Sequence, residues 1–250
     1  MEPPGVRQTD SRMAPLLQGV FTMVFQPIVE TQTGKIMGFE ALMRGTRLSP
    51  TESPERLFSE KGRPDDLLQL DIGCIGSALR SGSALAPNYR IFINAHSVTL
   101  RELAMNFDAF LKFLEGLGIN PDRIVFEISE KTDYASASAI QGYLVEFIKS
   151  GIRIAIDDVG ASFKWLHHML HTKPTYLKVD RSYIHEINMS TRKQALVRSL
   201  HLMCREMGLK VIAEGIESHE QLCMLKAIGV PFAQGFWFGR PEAVDGWIGK

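Results

Sequence analysis

The sequence predicts a single α/β domain, a closed (β/α) barrel entered through an antiparallel hairpin. Three observations carry this expectation. Short apolar, β-branched runs recur along the chain, stretches of helical periodicity fill the gaps, and only a short turn separates the first strand-like segment, Val24 to Val29, from a second at Ile36 to Leu42.

The runs are Met23-Val24-Phe25, Ile91-Phe92-Ile93, Ile124-Val125-Phe126, Ile154-Ala155-Ile156, Tyr176-Leu177-Lys178-Val179 and Val211-Ile212-Ala213. Their apolar character is continuous rather than alternating, which marks strands covered on both faces, as in a parallel sheet. Between them, Leu67-Leu68, Ile72, Ile75 and Leu79 have amphipathic spacing, as do Leu103, Phe107, Phe110-Leu111 and Leu114, and Ala195, Ser199, Leu202 and Met203. Gly116, Gly118, Gly151 and Gly208 follow these helices as stop signals. The alternation runs on without a linker or low-complexity tract, which favours one closed barrel over an open sheet. Val24-Phe25-Gln26-Pro27-Ile28-Val29 and Ile36 to Leu42 are separated by a turn ending at Gly34, too short for a parallel crossover. These two strands are therefore expected to pair antiparallel.

Composition narrows the class. A hydrophobic fraction of 45% and a charged fraction of 22% describe an ordinary folded chain. The 28 acidic and 28 basic residues balance, so no global field recruits a nucleic acid polymer or an anionic membrane. Cys74, Cys204 and Cys223 are widely spaced, with no CxxC pair, and read as buried reduced thiols. Residues Met1 to Gln18 lack the apolar core of a secretory signal, and no stretch approaches the ~18 apolar residues that span a bilayer. A cytoplasmic location is expected.

In such barrels the C-terminal strand ends converge on the active site, so polar residues there read as chemistry. In chain order these ends offer Glu40, Asn94, Glu127, Asp157-Asp158, Lys178 with Asp180, Glu214 with Glu217, and Gln234. One such carboxylate is unremarkable as a helix cap or salt-bridge partner. A pocket holding this many would repel itself unless cations neutralised it. The ligands are all oxygen, which suits Mg²⁺ or Mn²⁺ better than Zn²⁺. Adjacent Asp157 and Asp158 suit a pair of ions, the arrangement used in phosphodiester hydrolysis, and a lysine beside them can orient a nucleophilic water.

These residues resemble the EAL-domain family of cyclic di-GMP phosphodiesterases from about Val20 to Pro241. The matching segments are Phe25-Gln26-Pro27-Ile28-Val29, Glu40-Ala41-Leu42 with Arg44, Ile93-Asn94, Phe126-Glu127-Ile128-Ser129-Glu130, Ile156-Asp157-Asp158, Leu177-Lys178-Val179-Asp180-Arg181, Ala213-Glu214-Gly215-Ile216-Glu217, and Gln234-Gly235-Phe236 with Pro241. The resemblance implies a TIM-like (β/α)8 barrel with an antiparallel first strand, residues 1–19 forming an N-terminal tail and 20–250 the domain. It implies that Glu40, Asn94, Glu127 and Asp157 hold one metal ion while Asp157, Asp158 and Glu214 address a second. Lys178 would position the water that opens cyclic di-GMP to linear pGpG. Arg44 would meet a substrate phosphate, Gln234 would lie near water or substrate, Asp180 would contact the substrate or support the metal ligands, and Glu217 would support those ligands as well. Glu130 would anchor the loop after Asp158 that links metal occupancy to a homodimer.

The pattern departs from the family at Val159, where phenylalanine is usual, at Ser162, where a glycine is usual, and at Gly45 in place of tryptophan. Serine at a position needing positive φ would bias that loop. His167-His168-x-x-His171 reads as solvated or interface histidines rather than a metal site, and Phe163, Trp165 and Met169 as packing. Two other functions compete: a non-catalytic cyclic di-GMP receptor, and a sugar-phosphate isomerase, which would need a phosphate-binding glycine loop that Gly235 and Gly239 match poorly.

Overall fold

The computed structural model describes residues 21–45, 64–129, 134–160, 166 and 172–249. Glu130, Ser162, Phe163, Trp165, Met169, the three histidines from His167 to His171 and the 1–19 tail lie outside them. The strands are β1 (Phe21–Glu30), β2 (Ile36–Gly45), β3 (Arg90–Asn94), β4 (Ile124–Ser129), β5 (Arg153–Val159), β6 (Tyr176–Val179), β7 (Lys210–Ala213) and β8 (Phe232–Gln234). They close into one barrel in sequence order. β1 runs antiparallel to both neighbours, β2 and β8, and the other ladders are parallel. The expected barrel and hairpin are both present.

Among the described residues, the helices on the outside are α1 (Pro64–Gly82), α2 (Ser97–Met105), α3 (Phe107–Gly116), α4 (Tyr134–Lys149), α5 (Arg181–Ile184), α6 (Thr191–Glu206) and α7 (His219–Ile228). Their apolar stripes meet the outward faces of the strands in two clusters, one centred on Phe110, Phe126 and Phe147, the other on Val179, Val211 and Leu225. No helix among the described residues is long and apolar enough to cross a membrane.

The barrel interior explains where the polar residues sit. Ile28, Phe92, Val125, Ala155, Tyr176, Ile212 and Phe232 pack together as a plug. Side chains two positions apart on a strand share a face. One step of two beyond the plug therefore gives Asn94, Glu127, Asp157, Lys178, Glu214 and Gln234, and the same step taken backwards along the reversed β1 gives Gln26. Glu40 differs from expectation in lying mid-strand, because β2 continues to Gly45. Pairing of β2 with β3 stops at Ala41, while pairing with β1 reaches Gly45, so the end of the hairpin projects beyond the barrel mouth.

A hairpin brings no crossover helix, and its outer flank needs another cover. The C-terminal segment supplies it. Glu242 bridges Phe25 on the outside of β1, and the buried Trp247 packs 5.3 Å from the Phe39 ring while its Nε1 donates to the Phe25 carbonyl at 2.9 Å. Only one of the three cysteines matches the expected burial fully: Cys204 is buried, Cys74 half-buried and Cys223 exposed beside His219, an outcome of α7 turning that face to solvent. Trp247→Ala is expected to destabilise the protein by about 3 kcal/mol through lost burial and a cavity. An unchanged urea midpoint would show that the indole is not the cover of the hairpin.

Candidate active site

The centre of the polar layer is the Lys178 ammonium, whose side chain is 1% exposed. It lies 2.8 Å from Glu127 Oε1, 2.9 Å from Glu214 Oε1, 3.1 Å from Asp157 Oδ1 and 3.4 Å from Glu40 Oε2. An ammonium has three donors, so four carboxylates cannot all be served at once. Glu127 Oε2 is buried without a hydrogen-bond partner, and Glu127 Oε1 and Asp157 Oδ1 approach the ammonium at ion-pair distance without hydrogen-bond geometry.

Protonation follows from this imbalance. Burial alone would depress the Lys178 pKa, but Asp157, Glu127, Glu214 and Glu40 around it raise it well above the ordinary lysine value. Burial pushes Glu127 well up and raises Asp157, and in each case Lys178 only partly offsets it. Glu214 is pushed up to about 8 by burial, with Asp157 and Glu40 adding to the shift. Glu40 is the exception. Burial raises it, but Lys178 and hydrogen bonds from Gln234 and Asn94 bring it below its usual range.

Gln234 Nε2 donates to Glu40 Oε2 at 2.7 Å, and Asn94 Nδ2 donates to Glu40 Oε1 at 3.2 Å. The same Gln234 amide donates to Gln26 Oε1 at 3.1 Å, and Gln26 Nε2 donates to the Gly239 carbonyl at 3.1 Å. Gln26 thus belongs to the polar layer, although its place is visible in sequence only as a polar residue inside an apolar strand. Asp71 is a second such residue. Buried on α1, it accepts the His96 backbone N–H at 3.0 Å and so fixes the turn just after Asn94; burial raises its pKa.

Asp157, Asp158 and Glu214 place one carboxylate oxygen each within 4.8 Å of one another, a grouping that can hold a cation. Together with the orphaned Glu127 oxygen and the excess of buried carboxylates over ammonium groups, this donor set fits a divalent metal bound through oxygen. The remaining expected residues stand further out. Arg44 is exposed on the projecting hairpin, where its guanidinium donates to the Met43 carbonyl. Asp180 caps α5, its Oδ1 accepting Ser182 N–H at 2.9 Å. The partly exposed Glu217 pairs with Arg181 at 2.9 Å rather than joining the buried cluster. Val159 is fully buried in the core, packed with the cluster that contains Val179.

The family model described as EAL domain matches residues 9–241. The chain belongs to the EAL domain family. Among EAL relatives, it is 28% identical over 229 residues to the Pseudomonas aeruginosa protein called cyclic di-GMP phosphodiesterase RocR, covering 89% of this chain and 58% of RocR. BlrP1 of Klebsiella pneumoniae, solved as a calcium/cyclic di-GMP complex, superposes with a TM-score of 0.77 at 28% identity, over 90% of this chain and 57% of that one. A standalone EAL protein from Vibrio cholerae, solved with cyclic di-GMP, gives a TM-score of 0.78 at 27% identity, over 90% and 93%. The chain spans between 27% and 58% of the length of the curated relatives it matches.

The raised carboxyls make metal-free stability depend on pH. Glu214 ionises near 4.5 when unfolded but at about 8 in the fold. Between those values the fold holds a proton that the unfolded chain has released, so stability is full at the acid end and declines as pH rises through about 8. Asp157, Glu127 and Asp71 shift in the same direction. Denaturant melts of metal-free protein should show this decline, and Mn²⁺ should flatten it. A metal-free stability that rises with pH over the interval would contradict the assignment.

Proposed function

We propose that this chain hydrolyses cyclic di-GMP to linear pGpG. The observation that carries the reading is the cluster of Glu40, Glu127, Asp157 and Glu214 around one buried ammonium at the barrel mouth. EAL relatives named as cyclic di-GMP phosphodiesterases, and others solved with cyclic di-GMP and calcium or manganese, support it. Two Mg²⁺ or Mn²⁺ ions, one held by Glu40, Asn94, Glu127 and Asp157 and one by Asp157, Asp158 and Glu214, would supply positive charge and a more acidic water.

The chain's own residues do the rest. Lys178, kept charged by its partners, would release part of its hold on the carboxylates and orient the attacking water from below. Gln234 and Asn94 hold Glu40 from two sides, which keeps that carboxylate ionised and ready to ligate. Arg44 stands outside the mouth with a planar fork suited to a phosphate of the cyclic dinucleotide. Asp180 and Glu217 would act at one remove, through α5 and Arg181. We further assign residues 20–250 to the catalytic domain and 1–19 to a tail, and expect a homodimer in the cytoplasm.

Purified protein with cyclic di-GMP and Mn²⁺ or Mg²⁺ should yield pGpG on chromatography. Intact substrate that nevertheless binds would instead make the chain a non-catalytic receptor. Glu40→Ala is expected to slow turnover by more than the roughly 10- to 100-fold typical of losing an outer partner of a metal site. An unaltered rate would remove Glu40 from the reaction.

A further inference from the structure

The loop leaving β5 is held by contacts outside the carboxylate cluster. Asp157 pairs with Ser129 at the end of the β4 ladder, and β5 then passes through an irregularity in its pairing with β6, Asp158 adopting a left-handed backbone with φ 58°. Few non-glycine residues rest there without support from their surroundings. Two bonds supply that support just downstream. The Val159 carbonyl accepts the Asp180 N–H at 3.1 Å, and the Gly160 carbonyl accepts the Tyr183 hydroxyl at 2.5 Å. Gly160 has φ 146°, and a Cβ there would lie 1.9 Å from a Tyr183 ring carbon, so glycine is required for the ring to come this close.

Tyr183 sits on α5, whose first turn is fixed by the Asp180 cap. The same single turn reaches the neighbouring loop through Arg181. A Cβ on Gly215, where φ is 72°, would lie 2.4 Å from Arg181 Cγ, and the Arg181 guanidinium pairs with Glu217. One short helix thus braces the end of β5, which carries Asp158, on one side and the loop carrying Glu214 on the other. These are two of the three carboxylates whose oxygens come within 4.8 Å of one another.

We propose that Tyr183 is a positioning residue: its hydroxyl, bonded to the Gly160 carbonyl, holds the Asp158 carboxylate in register with Glu214 for metal binding. The inference rests on the metal-site assignment made above and adds to it a residue that touches neither metal nor substrate. Tyr183→Phe keeps the ring against Gly160 and deletes only the donor. The melting temperature in EDTA reports whether the fold survives.

The test is a Mn²⁺ titration of unaltered protein and the Tyr183→Phe variant, followed by electron paramagnetic resonance of free Mn²⁺ well below the melting temperature. Loss of one hydrogen bond in the brace should weaken binding roughly three- to tenfold. With cyclic di-GMP, the Mn²⁺ concentration for half-maximal rate should rise by the same factor while kcat at saturating Mn²⁺ is recovered. A tyrosine that merely packs would leave the Mn²⁺ affinity unchanged whatever its effect on melting, and that result overturns the proposal. Failure of the unaltered protein to bind Mn²⁺ overturns the metal-site assignment and the brace together. Equal binding by both proteins overturns the brace alone.

Discussion

At the mouth of the barrel the Lys178 ammonium stands among four carboxylates, Glu40 and Glu127 buried and Asp157 and Glu214 partly so, and the rest of the site is arranged around that imbalance. Burying a charge without a partner costs several kcal/mol, so neither the lysine nor the carboxylates could occupy this layer alone. Together they leave an excess of negative charge, which burial expresses as carboxyls that resist ionisation. Glu40 escapes because two amides, from Gln234 and Asn94, donate to it in addition to Lys178. The cluster is therefore poised between two ways of being neutral, protons or cations.

The geometry that makes this possible is a layered barrel. An apolar plug from Ile28 to Phe232 closes the lower interior, and two residues further along each strand the side chains turn polar. Much of this was legible in the sequence, because strand alternation places residues by counting. From Phe92 to Asn94, or from Tyr176 to Lys178, the count alone selects the face. The closed barrel and the reversed first strand were legible for the same reason, since a turn ending at Gly34 leaves no room for a crossover.

What was not legible depends on contacts between distant parts of the chain. Asp71 looks like one polar interruption of an amphipathic helix, and only its bond to the His96 N–H reveals that it fixes the turn after Asn94. Asp180 and Glu217 align with the acidic strand ends in sequence, yet one caps a helix and the other pairs with Arg181 on the surface. Position at a strand end states where a side chain starts, not where it points. The left-handed backbone at Asp158 is likewise invisible in a residue type that tolerates that conformation without demanding it.

The bond between Gln26 and Gln234 joins the first strand to the last across a sequence separation of 208 residues. Contacts of such range form late, because the chain entropy of closing the loop must be met before the contact returns anything. Synthesis makes β1 before β8, with Trp247 sealing the hairpin flank later still. Glu40 receives its Gln234 amide only when that closure is complete. A partly synthesised or locally opened barrel therefore leaves Glu40 without its Gln234 amide, and the polar layer is complete only when the fold is.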